Sequence, residues 1–258
     1  MNPSLITAPP LRAGKESFPP PARRYEQAPS ILTFSPMAWL KLRLFLHADE
    51  VEVAGFGISA EQDLLYIEDF RSVKQRVTAV TVELDDIAVA DHIDLFADSG
   101  IAPNRCARVW IHTHPGTSPE PSAVDEQTFA RVFGTCDWAV MAIVARGGAS
   151  YARLRFNAGP GGHTLIPIRV DWERFPQELA DREDQLDRQF SDWMDEYGRN
   201  VHRATVKCPA RCLLSDFSPA AYPDRWLQFV GLFVDQILQE EEYGVEIDSW
   251  SEGREVYP

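Results

Sequence analysis

The sequence predicts a mixed α/β protein of the α+β type, with a strand-rich core flanked by helices. Between residues 51 and 172 most apolar segments are short and rich in Val, Ile and aromatic side chains, which favours strands. Longer segments with helical spacing of apolar residues lie mainly before and after that stretch. Hydrophobic residues make up 45% of the 258 residues, which is enough to bury a substantial core.

The N-terminal segment 1–30 is predicted to be an extended or disordered tail. It contains seven of the 19 prolines, among them Pro19, Pro20 and Pro21, and few apolar side chains. It lacks the apolar region of a secretory signal, and no apolar run in the chain reaches the roughly 18 residues that span a bilayer. We therefore expect a cytoplasmic protein that does not associate with membranes.

Regular structure is expected to begin near Ile31. Ser35 followed by Pro36 predicts a helix start, and the helix is expected to run to residue 48. Two more helices are predicted over 85–100 and 124–133, the first of them with acidic residues in its first turn. Seven segments that are short and rich in β-branched or aromatic residues are predicted to be strands: 51–59, 63–73, 77–84, 105–115, 138–146, 149–156 and 163–172.

The character of the chain changes near Pro176. Apolar residues then recur at spacings of three, four and seven on a charged background: Leu179, Leu186, Phe190, Trp193, Tyr197 and Val201. This stripe predicts a helix that packs on the core or, alternatively, binds a partner. A further helix is predicted over 224–242 and a short strand over 244–250. Three regions result: a tail (1–30), a core domain (31–172) and a mainly helical C-terminal extension packed on it (173–258).

Charge and cysteine content narrow the functional classes. A net charge of −14 counts against nucleic-acid binding, because neutralising phosphates requires clustered Lys and Arg. It is compatible with a basic peptide or protein partner. The four cysteines do not form a disulfide framework. Cys208 and Cys212, with His202 nearby, leave open a second metal site or ordinary reduced thiols.

The segment from His112 to Asp125 is the most informative for function. His112 and His114 stand at positions i and i+2 of a predicted strand, so they project from one face and can share a metal ion. Asp125 can complete three protein ligands for zinc and leave a position for water, whose pKa the metal lowers to about 7. An H-x-H pair alone is weak evidence for metal binding. Ser122 with Asp125 is likewise typical of an ordinary helix N-terminus. The combination across a Pro/Gly loop predicts a catalytic metal site.

The pattern H-x-H-P-x6-S-x-x-D in this segment resembles the JAMM signature of the JAB/MPN metalloprotease family. That family also has an upstream glutamate, followed by a small residue and glycine, and Glu52-Val53-Ala54-Gly55 matches it. The resemblance covers about residues 31–170, which would be the catalytic domain of a prokaryotic deubiquitinase-like (MPN+) member. It implies a JAB/MPN-like mixed sheet flanked by helices, of cytidine-deaminase-like architecture.

The resemblance also implies roles for single residues. Three residues would bind Zn²⁺: His112, His114 and Asp125. Glu52 would take a proton from the attacking water and pass it to the leaving amine, and Ser122 would donate to the oxyanion. Glu50 lies two residues from Glu52 and would share its strand face, so it remains an alternative base. Glu120 and Glu126 are alternative metal carboxylates that do not fit the S-x-x-D spacing. The other histidines lack comparable neighbours and are expected in the core or on the surface: His47, His92, His163 and His202.

The implied activity is zinc-dependent hydrolysis of a peptide or isopeptide bond, after the C-terminal tail of a ubiquitin-like protein. The expected partners are that ubiquitin-like protein or its conjugate, together with activating and conjugating enzymes of the same pathway. Two alternatives remain. One is a non-catalytic MPN scaffold. MPN scaffolds lack the metal ligands, whereas this chain has all of them, which counts against this alternative. The other is a RadC-like protein associated with DNA repair, which Pro119-Glu120-Pro121-Ser122 resembles, although no basic face or helix-hairpin-helix segment accompanies it.

Overall fold

The computed structural model describes residues 30–174 and 183–204. The helices are α1 (Pro36–Ala48), α2 (Asp86–Asp98), α3 (Pro103–Cys106), α4 (Ala123–Phe133) and α5 (Glu183–Asn200), with a 3-10 turn at Trp172–Arg174. The strands are β1 (Leu32–Phe34), β2 (Ala54–Ser59), β3 (Tyr66–Ser72), β4 (Gln75–Val77), β5 (Val82–Leu84), β6 (Val109–His114), β7 (Trp138–Ala145), β8 (Ser150–Phe156), β9 (Gly162–Leu165), β10 (Ile168–Val170) and β11 (Val201–Arg203).

The strands form two sheets. The main sheet has eight strands in the order β10-β1-β3-β2-β6-β7-β8-β9, and the smaller sheet has the order β11-β4-β5. Pairing in the main sheet is mixed: β2 runs antiparallel to β6, whereas β6 runs parallel to β7. Helices flank this sheet, so the predicted mixed α/β fold of the α+β type is confirmed.

The helix starts follow the capping residues in the sequence. The Ser35 side chain accepts a hydrogen bond from the Ala38 amide at 3.1 Å, and Pro36 occupies the first turn of α1, as predicted. Asp85 caps α2 in the same way, accepting from the amides of Ile87 and Ala88. Each cap satisfies amides that would otherwise lack a partner, so the chain enters each helix at a fixed residue.

Four predicted strands differ from the structure, and the first of them, 51–59, is a strand only from Ala54 onward. The segment 77–84 is a hairpin of β4 and β5, which turns where the Thr78 amide donates to the Thr81 carbonyl at 2.9 Å. The segment 163–172 is divided into β9 and β10 because Pro167 has no amide hydrogen for a ladder. The segment 105–115 begins with the last residues of α3, which ends at Cys106, and only its later part, β6, is a strand. Periodicity identified the extended character of these segments but not their interruptions.

Side chains alternate between the two faces of the main sheet along β6. Ile111 points into the larger apolar cluster, which α1 and α5 cover. Trp110 points to the opposite face and packs with Phe129 of α4. Because residues two apart on a strand share a face, His112 and His114 lie on the α4 side of the sheet, and the ring of His112 stacks on Trp110.

The apolar stripe of the C-terminal region packs on the core over its described part. Phe190 and Trp193 of α5 are buried in the cluster around α1. Val201, which the stripe placed on the helix, begins β11 and pairs with Gln75 of β4. Several predictions concern residues outside the described ranges: the tail, Leu179, the helix over 224–242, the strand over 244–250, and Cys208 with Cys212. Within residues 30–174 and 183–204, no helix has the length and apolar character needed to cross a membrane.

Candidate metal centre

The pairing of β2 with β6 brings Glu52 to the histidines. Ala54 pairs with His112, and the ladder continues beyond the strand end, where the Thr113 amide donates to the Val53 carbonyl at 2.9 Å. One further step along this antiparallel register sets Glu52 beside His114. Glu52 Oε1 lies 3.9 Å from His114 Nε2. The sequence predicted that Glu52 lies within the strand 51–59, but in the structure it lies two residues before the start of β2.

Gly55 allows β2 to lie this close to its other neighbour. A Cβ at Gly55 would overlap the Arg71 carbonyl oxygen of β3 and would also contact the Phe70 ring. The glycine that follows Glu52-Val53-Ala54 is therefore required for packing, because only glycine fits between the backbones of β2 and β3.

The first turn of α4 brings Asp125 to the same place. Ser122 Oγ accepts a hydrogen bond from the Asp125 amide at 3.2 Å, and Asp125 Oδ2 accepts from the Ser122 amide at 2.7 Å. This reciprocal pair is a capping box that fixes the carboxylate at the helix start. Asp125 Oδ1 lies 3.4 Å from His112 Nε2, and Oδ2 lies 3.8 Å from His114 Nε2. One ligand atom from each of these three residues lies within 4.8 Å of the others.

The ring nitrogens of the histidines are prepared to bind a ligand. His114 Nδ1 lies 2.9 Å from the Ser118 carbonyl, which can only accept, so Nδ1 carries a hydrogen and, in the neutral ring, Nε2 keeps its lone pair. Both nitrogens of His112 and Nε2 of His114 are buried and have no hydrogen-bond partner among the described residues. Buried polar atoms nearly always have partners. The orphaned nitrogens and the Asp125 carboxylate therefore fit a metal ion.

Burial and neighbouring charge set the protonation states of the ligands. Burial lowers the pKa of His112, which keeps its imidazole neutral, the form that binds metals. Burial raises the pKa of Asp125, but its contacts with His112 and His114 and the Ser122 hydrogen bond outweigh this, so the net shift is strongly downward. Asp125 is therefore an anion at neutral pH. Burial lowers the pKa of His114, but its contacts with Asp125, the Ser118 carbonyl and Glu52 outweigh burial, so the net shift of this pKa is upward.

Glu52 has a different electrostatic setting. Burial raises its pKa to about 7, His114 opposes that shift, and the negative charge of Asp125 adds to it. Its side chain is 9% exposed, and it lies beside the three-residue group rather than within it. Glu52 is thus a buried carboxyl group that can both accept and release a proton near neutral pH.

The alternative carboxylates lie elsewhere. Glu50 is 83% exposed, and its Oε1 lies 3.4 Å from Arg146 Nη1. Glu126 is paired with Arg153 at 2.7 Å. Glu120 is exposed. Among the described residues, none of the three glutamates belongs to the group that can hold a metal ion.

The other histidines lie outside this group, as expected from the sequence. His92 is buried against the ring of Phe56, and its Nε2 lies 2.9 Å from the Cys106 carbonyl. His47 is half-buried at the end of α1, and His163 and His202 are exposed. The sequence did not reveal the contribution of Trp110, whose ring stacks on His112 with centroids 4.5 Å apart. Its position two residues before His112 on one strand was the available signal.

Comparisons with known proteins do not assign the chain to a family. No family model matches it, and no curated protein matches it. The chain is similar to the solution structure of protein DSY2949 from Desulfitobacterium hafniense, with 14% sequence identity and a TM-score of 0.37. That match covers 54% of this chain and 92% of the other.

Proposed function

We propose that the protein is a zinc-dependent hydrolase of peptide or isopeptide bonds, of the JAMM type. The observation that carries the proposal is the convergence of His112, His114 and Asp125 around one point, with the carboxyl group of Glu52 beside them. Two imidazoles and one carboxylate are a common ligand set of catalytic zinc sites, which keep an open position. A structural zinc site would use four protein ligands.

Each residue has a distinct part in the proposed reaction. A bound zinc ion supplies Lewis acidity, which lowers the pKa of water at the site toward about 7. Glu52 accepts the proton of the attacking water at Oε1 and delivers it to the departing amine nitrogen. A pKa near 7 suits transfer in both directions at neutral pH. The hydrogen bond from His114 Nδ1 to the Ser118 carbonyl holds the ring so that Nε2 faces Asp125 and Glu52, where it would bind the ion.

Ser122 is the proposed donor to the oxyanion. Its Oγ already accepts from the Asp125 amide, so the hydroxyl hydrogen is available to donate. The residue is exposed at the helix start, where a substrate carbonyl can approach it. The partial positive charge of the α4 N-terminus would further stabilise developing negative charge.

The proposed substrate is the C-terminal tail of a ubiquitin-like protein, as a precursor or as a conjugate. This part of the proposal is supported by the resemblance of the His112–Asp125 segment and of Glu52-Val53-Ala54-Gly55 to the JAMM signature. The net charge of −14 would attract a substrate with basic residues near the cleaved bond. The proposed hydrolase would act in the cytoplasm, together with the activating and conjugating enzymes of the same ubiquitin-like protein.

The proposal is tested with Glu52→Gln and a matched control, Glu50→Gln. Glu52→Gln is expected to keep one equivalent of zinc and to lower turnover of a fluorogenic ubiquitin-type amide by about 10²–10⁴-fold. Glu50→Gln removes an exposed carboxylate two residues away and should change neither quantity. Zinc content is measured by mass spectrometry and turnover by fluorescence.

Full turnover in Glu52→Gln would move the base to another residue. Failure of the wild-type protein to retain zinc would refute the metal centre. Retained zinc without hydrolysis of any amide would favour the MPN scaffold.

A further inference from the structure

Two arginines of β8 hold the two ends of α4. Arg153 donates two hydrogen bonds to Glu126 in the first turn, from Nη1 to Oε1 at 2.8 Å and from Nη2 to Oε2 at 2.7 Å. Arg155 donates from Nη2 to the Gly134 carbonyl, immediately after the last turn, at 3.0 Å. Residues two apart on a strand share a face, so both guanidinium groups approach α4 from the same side of the sheet.

The Arg153 contact is geometrically well defined. A guanidinium and a carboxylate joined by two parallel hydrogen bonds have little freedom to rotate against each other. The same guanidinium lies over the ring of Phe129, one turn further along α4, with 5.6 Å to the ring centroid. Phe129 is 2% exposed, so the ring is itself fixed by the core. Arg153 therefore fixes both the position and the rotation of the first turns of α4.

Asp125 depends on that fixation. It precedes Glu126 directly, and it enters the helix from the irregular segment 115–122 rather than from a strand. The capping box fixes the carboxylate relative to the helix but does not fix the helix relative to β6, which carries the histidines. Ligands must be held within about 0.5 Å of their productive positions. Within the described residues, the Arg153 pair is the polar side-chain link between the first turn of α4 and the sheet, apart from Asp125 itself.

We infer that Arg153 is a positioning residue of the metal centre, acting on Asp125 through Glu126. This inference rests on the metal centre of the proposed function but not on the reaction it performs. An ion pair on a half-exposed glutamate contributes little to stability by itself. Its effect is instead on the separation between the Asp125 carboxylate and the two imidazoles.

The test measures metal affinity in Arg153→Gln, with Arg155→Gln as the matched control. Zn²⁺ is titrated in competition with a chromophoric chelator, and the visible spectrum of the Co²⁺-loaded protein reports ligand geometry. Arg153→Gln is expected to weaken Zn²⁺ binding about 10- to 100-fold and to shift the Co²⁺ bands. Arg155→Gln removes the same side chain at the other end of α4 and should leave both readouts as in the wild type.

Glu126→Gln is the second variant and keeps the test decisive if Arg153→Gln does not fold. It should match Arg153→Gln in both readouts, and the double variant should be no weaker than either single one. Wild-type affinity in Arg153→Gln or Glu126→Gln, equal losses in Arg153→Gln and Arg155→Gln, or additive losses in the double variant would each overturn the inference. Absence of metal binding by the wild-type protein would instead overturn the proposed function.

Discussion

The buried polar groups around Lys41 and those around His112 differ in how completely they are hydrogen-bonded. Lys41 is 1% exposed, and its Nζ donates to Glu196 Oε2 at 2.7 Å and to Asp69 Oδ1 at 3.4 Å. Glu196 Oε1 accepts from the amide and the hydroxyl of Ser72, both at 3.0 Å. Asn200 donates to the same serine. We call these five residues the Lys41 cluster. It joins α1, β3 and α5, and its buried polar side-chain atoms all have partners within the described part of the chain.

The candidate metal centre is built in the opposite way. Three of its four imidazole nitrogens are buried without a hydrogen-bond partner in the described residues, and a carboxyl group with a raised pKa lies beside them. Unpaired buried polar atoms reduce stability, whereas a fully paired network holds its elements in one arrangement. Around Lys41, where every buried polar atom is paired, these groups hold α1, β3 and α5 together. Around His112, the unpaired nitrogens are instead available for a ligand.

The largest effect is expected from Glu196→Ala in the Lys41 cluster. Removing the carboxylate leaves the buried Lys41 charge with only the longer contact to Asp69, which should lower the free energy of unfolding by about 3–5 kcal/mol. Urea denaturation measures it. Asp195→Ala on the exposed side of α5 is the control and should stay within about 0.5 kcal/mol of the wild type. A small loss in Glu196→Ala would show that the Lys41 cluster does not stabilise the fold.

A smaller effect is expected from His114→Ala in the metal centre, and only when metal is present. In chelator, the variant should unfold close to the urea concentration of the wild type, because the lost hydrogen bond to the Ser118 carbonyl is offset by the removal of an orphaned buried nitrogen. Zn²⁺ at 100 times the dissociation constant should stabilise the wild type by about 2.7 kcal/mol. The variant should gain no such stability. Equal stabilisation of both proteins by Zn²⁺ would mean that the ion binds elsewhere.

The smallest effect is expected in the pH dependence of the free energy of unfolding, which should differ between the metal-free wild type and metal-free Glu52→Gln. The folded pKa of Glu52 is about 7, above its ordinary value of 4.5, so the folded state binds more protons than the unfolded state between these values. The wild type therefore loses stability as pH rises from about 4.5 to 7, and Glu52→Gln lacks this loss. Urea denaturation in chelator at several pH values measures the difference. A difference that does not change with pH would contradict the burial of an ionisable Glu52.

Local signals account for the helix starts and the side-chain directions that were predicted correctly. Ser35 with Pro36 marked the start of α1, and the H-x-H spacing placed both imidazoles on one face, because caps and strand alternation depend on neighbours in sequence. The pairing of Lys41 with Glu196, 155 residues away, carried no local signal. The same holds for Arg153 with Glu126, since the register between distant elements decides which charges meet.

The ladder between β2 and β6 also governs how the chain tolerates insertions. The side-chain direction reverses with each residue, so one residue inserted between Glu52 and Ala54 would turn the Glu52 carboxylate to the opposite face of the sheet. A residue inserted in the turn after Ser59 lies beyond the paired stretch and leaves this alignment unchanged. Natural length variation and engineered loops can therefore be accommodated after the C-terminal end of β2. The segment from Glu52 to Gly55 must instead keep its length.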